Sequence, residues 1–127
     1  LENGSEFYPR AVYEAIEMVR DDYGWNGPIF ITENGVPDAS AATTADPLDD
    51  EERIKYVSGF LHWISVAIAE GADVRGYYLW SLLDNYEWGA AFTFKYGLVR
   101  VDPETQLRTP KKSFAWYANT IATSRKA

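Results

Sequence analysis

Apolar positions along this chain follow two alternating rhythms. From Pro9 to about Asp22, Val12, Ala15, Ile16 and Val19 recur at three- and four-residue spacing, with Pro9 at a first-turn position and Gly24 beyond the end; this predicts an amphipathic helix. After Gly27-Pro28 comes Ile29-Phe30-Ile31-Thr32, a β-branched and aromatic run of the kind found in strands buried on both faces. Residues 34–48 are rich in Ala, Thr, Asp and Pro and have no period, so they predict a long loop, of a length that is often functional. Asp49 followed by Glu52 resembles a capping box, and Ile54, Val57, Leu61, Ile64 and Ile68 mark one face of a helix that stops at Gly71. Gly76-Tyr77-Tyr78-Leu79-Trp80-Ser81 predicts a second buried strand, followed by an irregular aromatic stretch to Tyr96 and a short extended piece at Leu98 to Val101. Thr109 and Pro110 supply an N-cap and a first-turn proline for a last helix whose face is Phe114, Tyr117 and Ile121.

The predicted order is helix, strand, helix, strand, helix, which implies an α/β fold with parallel strands. Two parallel strands buried on both faces need neighbours that this chain does not itself contain. At 127 residues the chain is long enough for one domain with a core, but well short of the ~250 residues of a complete eight-fold barrel. The expectation is therefore a piece of a larger sheet.

Composition narrows the chemistry. A net charge of −7 argues against a nucleic-acid partner, which calls for clustered Lys and Arg. The charge is uneven: residues 1–97 carry 6 basic and 17 acidic side chains, residues 98–127 carry 6 and 2. The basic end either lies against acidic surface elsewhere or is simply solvated. Absent cysteine and a lone His62 leave no thiolate or histidine-rich metal site to expect. The longest uncharged run, Tyr56 to Ala69, is too short and polar to span a bilayer, so no membrane partner is expected. The N-terminus lacks the basic-then-apolar order of a signal peptide, and a reducing, cytoplasmic setting is the expectation.

Two places concentrate candidate chemistry. Glu33 follows the first strand, and strand C-termini are where barrel enzymes project catalytic groups. The plain alternative, a hairpin turn on Asn34-Gly35, is disfavoured because no alternating strand follows and Pro37 intervenes. Trp80, Ser81, Asp84, Asn85, Tyr86, Glu87 and Trp88 crowd aromatic faces and carboxylates together after the second strand. Sugars need that mixture: apolar C–H faces stack on indoles, and hydroxyls are gripped by carboxylates and amides. Plain core packing is the alternative, yet the charged members are hard to bury unpaired.

At these residues the chain resembles a known family. Ile31-Thr32-Glu33-Asn34-Gly35 is similar to the nucleophile motif of family 1 glycoside hydrolases, the β-glucosidase and β-galactosidase family, and the run from Trp80 to Trp88 is similar to its glycone-binding motif. Glu6-Phe7-Tyr8-Pro9 resembles the segment before the sixth helix of that family. Asp50, Arg53 and Tyr56 resemble the start of the seventh, and Lys95-Tyr96-Gly97-Leu98, Val101-Asp102 and Ser113 to Tyr117 resemble its C-terminal end. The resemblance implies the C-terminal portion of a single (β/α)8 barrel: the last two βα units and the preceding helix, over residues 1–127.

It further implies retaining hydrolysis of terminal β-glucosides, or of the related galactosides and fucosides, with Glu33 as nucleophile and no metal or organic cofactor. Glu87 would grip hydroxyls on the far side of the glycone, Trp88 would donate its indole N–H, Trp80 would form the platform under the sugar, and Tyr96 would close its edge. Asn85 would support the loop. Glu87 is not the acid/base, which in this family lies in an Asn-Glu-Pro motif; none occurs here, so the implied partner is the rest of the barrel. Departures from the family pattern are Ala91 for the usual glycine, Lys95 for arginine, Phe60 for histidine and Ser5 for tryptophan. Members acting on 6-phosphoglycosides carry serine and then lysine where Trp88 and Phe94 stand, which favours unphosphorylated substrates. The competing readings are a non-catalytic sugar-binding or interaction module, and an inactive isolated fragment.

Overall fold

The structure, a computed structural model, describes residues 3–38 and 46–124. Helix α1 (Arg10–Glu17) runs into a π-helical turn, Met18–Asp22, then strand β1 (Ile29–Asn34), helix α2 (Glu51–Ala69) and strand β2 (Val74–Leu79). A single turn of 3₁₀ helix, Trp88–Ala90, is followed by β3 (Val99–Val101), β4 (Arg108–Pro110) and helix α3 (Lys112–Ser124). Strands β1 and β2 pair in parallel, with Ile31 opposite Tyr77 and Asn34 opposite Leu79, and β3 and β4 pair antiparallel.

One core lies between the helices and one face of the parallel pair. Ile16, Ile64, Ala67 and Ala72 are buried there, with Val12, Tyr13, Ile29, Ile31, Leu61, Val74 and Tyr77 packed around them. Each fully buried aliphatic side chain contributes about 1.5–3 kcal/mol. The opposite face is open: Phe30 is 50% exposed, Tyr78 59% and Trp80 38%. Phe30 lies across Gly76, where a Cβ would come 2.6 Å from its ring.

The predicted elements form, with instructive differences. The first predicted helix is α-helical only to Glu17, with Pro9 as its N-cap, and Ala15 and Val19 point outward. The first strand extends to Asn34, so Glu33 lies within its last turn of pleat rather than after it. The second begins at Val74 and ends at Leu79, two residues earlier at each end than the aromatic run indicates. Of the predicted loop, residues 39–45 lie outside the described residues.

Helix α2 buries Arg53, Val57, Phe60, Ile64 and Ala67, a stripe rotated from the expected one, and Ile68 is 48% exposed. Its N-cap is Asp50, not Asp49, and no side chain caps it. The Asp50 carboxylate is engaged elsewhere: it accepts from the Ser113 amide (2.8 Å) and hydroxyl and pairs with Arg53. Asp50 therefore supplies an acceptor at the N-terminus of α3, the role expected of Thr109. Thr109 and Pro110 instead form β4, whose pairing with β3 has no alternating signal to announce it. In α3, Phe114 and Ile121 remain exposed and the buried residue is Ser113.

Two lysines of the basic C-terminal segment do meet acidic partners. Lys111 is fully buried between Asp38 (2.7 Å) and Asp84 (3.0 Å), and Lys112 pairs with Glu51 and Asp49 at the surface. No helix among the described residues is long and apolar enough to cross a membrane.

Breaking a buried pair by removing one partner leaves an uncompensated charge, at a cost of about 3–5 kcal/mol. Asp50→Ala should lower the unfolding free energy by about that amount in urea denaturation. Lys112→Ala, which removes only exposed pairs, should leave the midpoint unchanged.

Candidate sugar-binding and catalytic site

The C-terminal ends of β1 and β2 meet at a joint that requires glycine. A Cβ on Gly35 would sit 1.8 Å from the Trp80 carbonyl oxygen, so only glycine lets the chain after Glu33 pass this close to the second strand end. The Trp80 amide donates to the Asn34 carbonyl (2.9 Å), which carries the parallel pairing up to the site. The Trp80–Ser81 peptide bond is cis.

Glu33 is exposed, and its carboxylate has no hydrogen-bond or ion-pair partner among the described residues. Its neighbour Asn34 is held firmly: the Asn34 Oδ1 accepts from the Tyr77 hydroxyl (2.7 Å), and the Tyr77 carbonyl accepts from the Tyr117 hydroxyl (3.3 Å). The strand end is thereby braced from α3 while the Glu33 carboxylate is left open for chemistry.

On the adjoining strand end, the Trp80 indole donates from Nε1 to Glu87 Oε1 (3.0 Å). That bond consumes the N–H of Trp80 and leaves its ring face open, while orienting one carboxylate oxygen of Glu87. Asn85 turns inward, donating to the Ser81 Oγ (2.9 Å) and the Leu83 carbonyl (3.1 Å), so it supports the loop. Trp88 is 85% exposed, and its side chain makes no hydrogen bond or ring contact among the described residues. The Tyr96 carbonyl accepts from the Ser81 amide (3.2 Å), and its hydroxyl accepts from the Asn3 amide group (3.1 Å). Trp80 and Glu87 are thus joined directly, Glu33 and Tyr96 are attached through backbone, and Trp88 stands apart. Among the described residues no group of three or more His, Cys, Asp or Glu is arranged to hold a metal ion.

The turn carrying Trp88 closes on itself: the Glu87 amide donates to the Ala91 carbonyl (2.7 Å) and the Ala91 amide to the Trp88 carbonyl (3.0 Å). Trp88 has φ 43° and Ala91 φ 49° with ψ −121°, a region that a Cβ disfavours. The alanine found where the resemblance leads one to expect glycine thus occupies a glycine conformation.

Several residues that shape the site carry no local signal. Asp84 sits inside the aromatic run but is not a sugar ligand here: its carboxylate accepts from the Gly97 amide (2.9 Å) and pairs with buried Lys111. Asp38 and Lys111 lie 73 residues apart in sequence, beyond the reach of any spacing rule. Arg53 did leave a trace, since it falls on the same helical stripe as Val57, Phe60 and Ile64, where an arginine has no reason to be unless it is paired.

Two outcomes follow from this geometry. Ala91→Gly should raise the unfolding free energy by about 1 kcal/mol, read as a higher urea midpoint, because it relieves the positive φ. Burial pushes the phenols of Tyr77, Tyr56 and Tyr117 above the usual tyrosine value, the hydrogen bond of Tyr56 with Asn34 working against this for Tyr56 alone. A raised folded pKa stabilises fully below the unfolded value of about 10 and loses that stabilisation as pH rises through the folded values. Urea midpoints should therefore fall above pH ~10, and Tyr77→Phe should flatten that fall.

The model of glycosyl hydrolase family 1 matches residues 1–126. A rice protein (Oryza sativa subsp. japonica) named "Probable inactive beta-glucosidase 14" is 44% identical over 119 residues, covering 90% of this chain and 23% of that protein. A 6-phospho-beta-galactosidase of Streptococcus equi subsp. zooepidemicus is 41% identical over 116 residues, covering 91% and 24%. The crystal structure of a beta-glucosidase from Exiguobacterium marinum superposes with a TM-score of 0.87 at 37% identity, covering 98% of this chain and 28% of that one. The chain therefore spans about a quarter of the length of these relatives, and its structural neighbours are barrel β-glucosidases. With the family model matched along nearly its whole length, the chain belongs to glycosyl hydrolase family 1.

Proposed function

We propose that these residues form the C-terminal portion of a (β/α)8 barrel β-glucosidase and supply the nucleophile half of a retaining site. The observation that carries this reading is the pairing at the strand ends: an open Glu33 carboxylate on β1 beside a Trp80 and Glu87 pair at the end of β2. The exposed face of Phe30, Tyr78 and Trp80 supports it, because that face would line the barrel interior once further strands continue the sheet.

In this reading Glu33 attacks the anomeric carbon as the glycosidic bond breaks, and a glycosyl ester forms on its carboxylate. An acid/base glutamate outside this chain protonates the leaving oxygen, then deprotonates the water that cleaves the ester. The two carboxyl groups would stand roughly 5–5.5 Å apart. Trp80 supplies the ring face beneath the glycone, Glu87 accepts from its hydroxyls through the oxygen that Trp80 leaves free, Trp88 donates from its exposed indole, and Tyr96 borders the sugar. Trp88 and Phe94, where the phosphoglycosidase pattern has serine and lysine, favour unphosphorylated β-glucosides, with galactosides and fucosides as the related alternatives. The partner is the remainder of the barrel, neither nucleic acid nor membrane. Glu33 itself needs no metal or organic cofactor for this displacement.

The relative named as inactive gives the second reading its specific support: a sugar-binding module of the same architecture without turnover. A 2-deoxy-2-fluoroglucoside separates the two. In the complete enzyme carrying this sequence, it should add one fluoroglucosyl mass to the peptide containing Glu33, found by digestion and mass spectrometry. Glu33→Gln should abolish the label and lower turnover of an aryl β-glucoside by at least roughly 10³-fold. Glucose binding with no label would establish the binding module, and a label on another carboxylate would remove Glu33 from the nucleophile role.

A further inference from the structure

The site as described leaves one residue without a reason. Arg53 has no exposed side-chain surface, yet it lies on an apolar helical stripe directly behind the site. Burying a guanidinium is expensive unless its donors are met. Its donors meet four acceptors drawn from three segments: the carboxylates of Asp50 and Asp38, the Val36 carbonyl (3.2 Å) and the Lys95 carbonyl (2.8 Å). Only Nε is without a partner among the described residues.

The two carbonyls identify what is being held. Val36 lies three residues after Glu33, on the stretch that leaves the strand through Gly35; Lys95 immediately precedes Tyr96. The Asp38 amide donates to the same Lys95 carbonyl (2.9 Å), so the segment after the nucleophile and the segment before Tyr96 are tied both directly and through Arg53. Lys111 reinforces the arrangement by bridging Asp38 to Asp84, whose carboxylate holds the Gly97 amide on the far side of Tyr96. Nη1 serves Asp50 at the start of α2 while Nη2 is shared among the Val36 carbonyl, Asp38 and the Lys95 carbonyl, so the two ends of the planar fork join the helix to the strand-end segments, a span that a single ammonium does not cover.

We propose that Arg53 is a positioning residue of the glycosidase site, setting the separation between the Glu33 strand end and the loop that presents Tyr96. This rests on the assignment of Glu33 as nucleophile given above. A displacement of about 1 Å in such a frame costs on the order of 10²-fold in rate, so a change behind the site reaches the chemistry through geometry alone.

Arg53→Lys keeps the charge and loses the fork. In the complete enzyme, active sites are counted by the burst from a fluoroglucoside, so that partial unfolding does not enter the comparison. Per counted site, the rate constant for labelling should fall about tenfold or more, and KM for an aryl β-glucoside should rise. A lowered melting temperature with unchanged rate constant and unchanged KM per counted site would overturn the proposal and leave Arg53 a purely structural residue. If Arg53→Lys does not fold, Asp38→Asn carries the same test, because it removes the carboxylate shared by Arg53 and Lys111 with little change of shape. The same fall per counted site is expected, and unchanged kinetics overturns it. A label found on a residue other than Glu33 would sink the nucleophile assignment separately, since the Arg53 comparison can still be read from turnover per counted site.

Discussion

Five charged side chains buried or half-buried at one junction constrain everything else in this structure. Arg53 and Lys111 have no exposed side-chain surface and are matched by Asp50, Asp84 and Asp38, the last still partly exposed. Such charges can leave water only if each is paired and its remaining donors and acceptors are occupied. The acceptors and donors are main-chain groups of the segments that must be brought together: Val36, Lys95, Gly97 and Ser113. Hydrophobic burial holds α1 and α2 against the parallel strands, but it is non-directional and leaves the loops at the strand ends unplaced. Their placement comes from the ionic cluster.

The division explains what could be read from the sequence. Helices α1 and α2 and strands β1 and β2 were legible because their signals are local: periodic apolar positions, glycine stops, and runs of β-branched and aromatic residues. Helix α3 was legible as a helix but not in its start or its buried face. Its N-terminal acceptor is Asp50, 63 residues away, and its apolar residues Phe114 and Ile121 stay partly exposed while Ser113 is the one buried. Strand β3 was legible as the short extended piece at Leu98 to Val101, but β4, three residues long, shows no pattern, so their pairing was not. Within the candidate site, Glu33 and the run from Trp80 to Trp88 were conspicuous by position and by mixed chemistry. Asp38 and Lys111 were not, and Arg53 left only the trace of a charge on an apolar stripe, because their roles arise only when distant segments meet.

The same physics separates the residues of the aromatic run. Asp84 and Asn85 turn inward and satisfy backbone groups, while Glu87 is half-satisfied by the Trp80 indole and keeps an oxygen for a ligand. Within the aromatic run, positive φ falls in the turn carrying Trp88, at Trp88 and Ala91. A scaffold that spends its hydrogen bonds on loop geometry and leaves one carboxylate and several ring faces open is suited to a ligand with both hydroxyls and apolar faces.

If this chain holds half of a glycosidase site, as proposed, it needs the rest of the barrel to act. Complementation tests it most directly: the 127-residue chain and a separately produced upstream barrel segment are assayed on an aryl β-glucoside alone and mixed, with native mass spectrometry of the mixture. Neither piece should turn the substrate over alone, and the 1:1 complex should. Turnover by the chain alone would contradict the proposal, as would a 1:1 complex that binds glucose and never turns over.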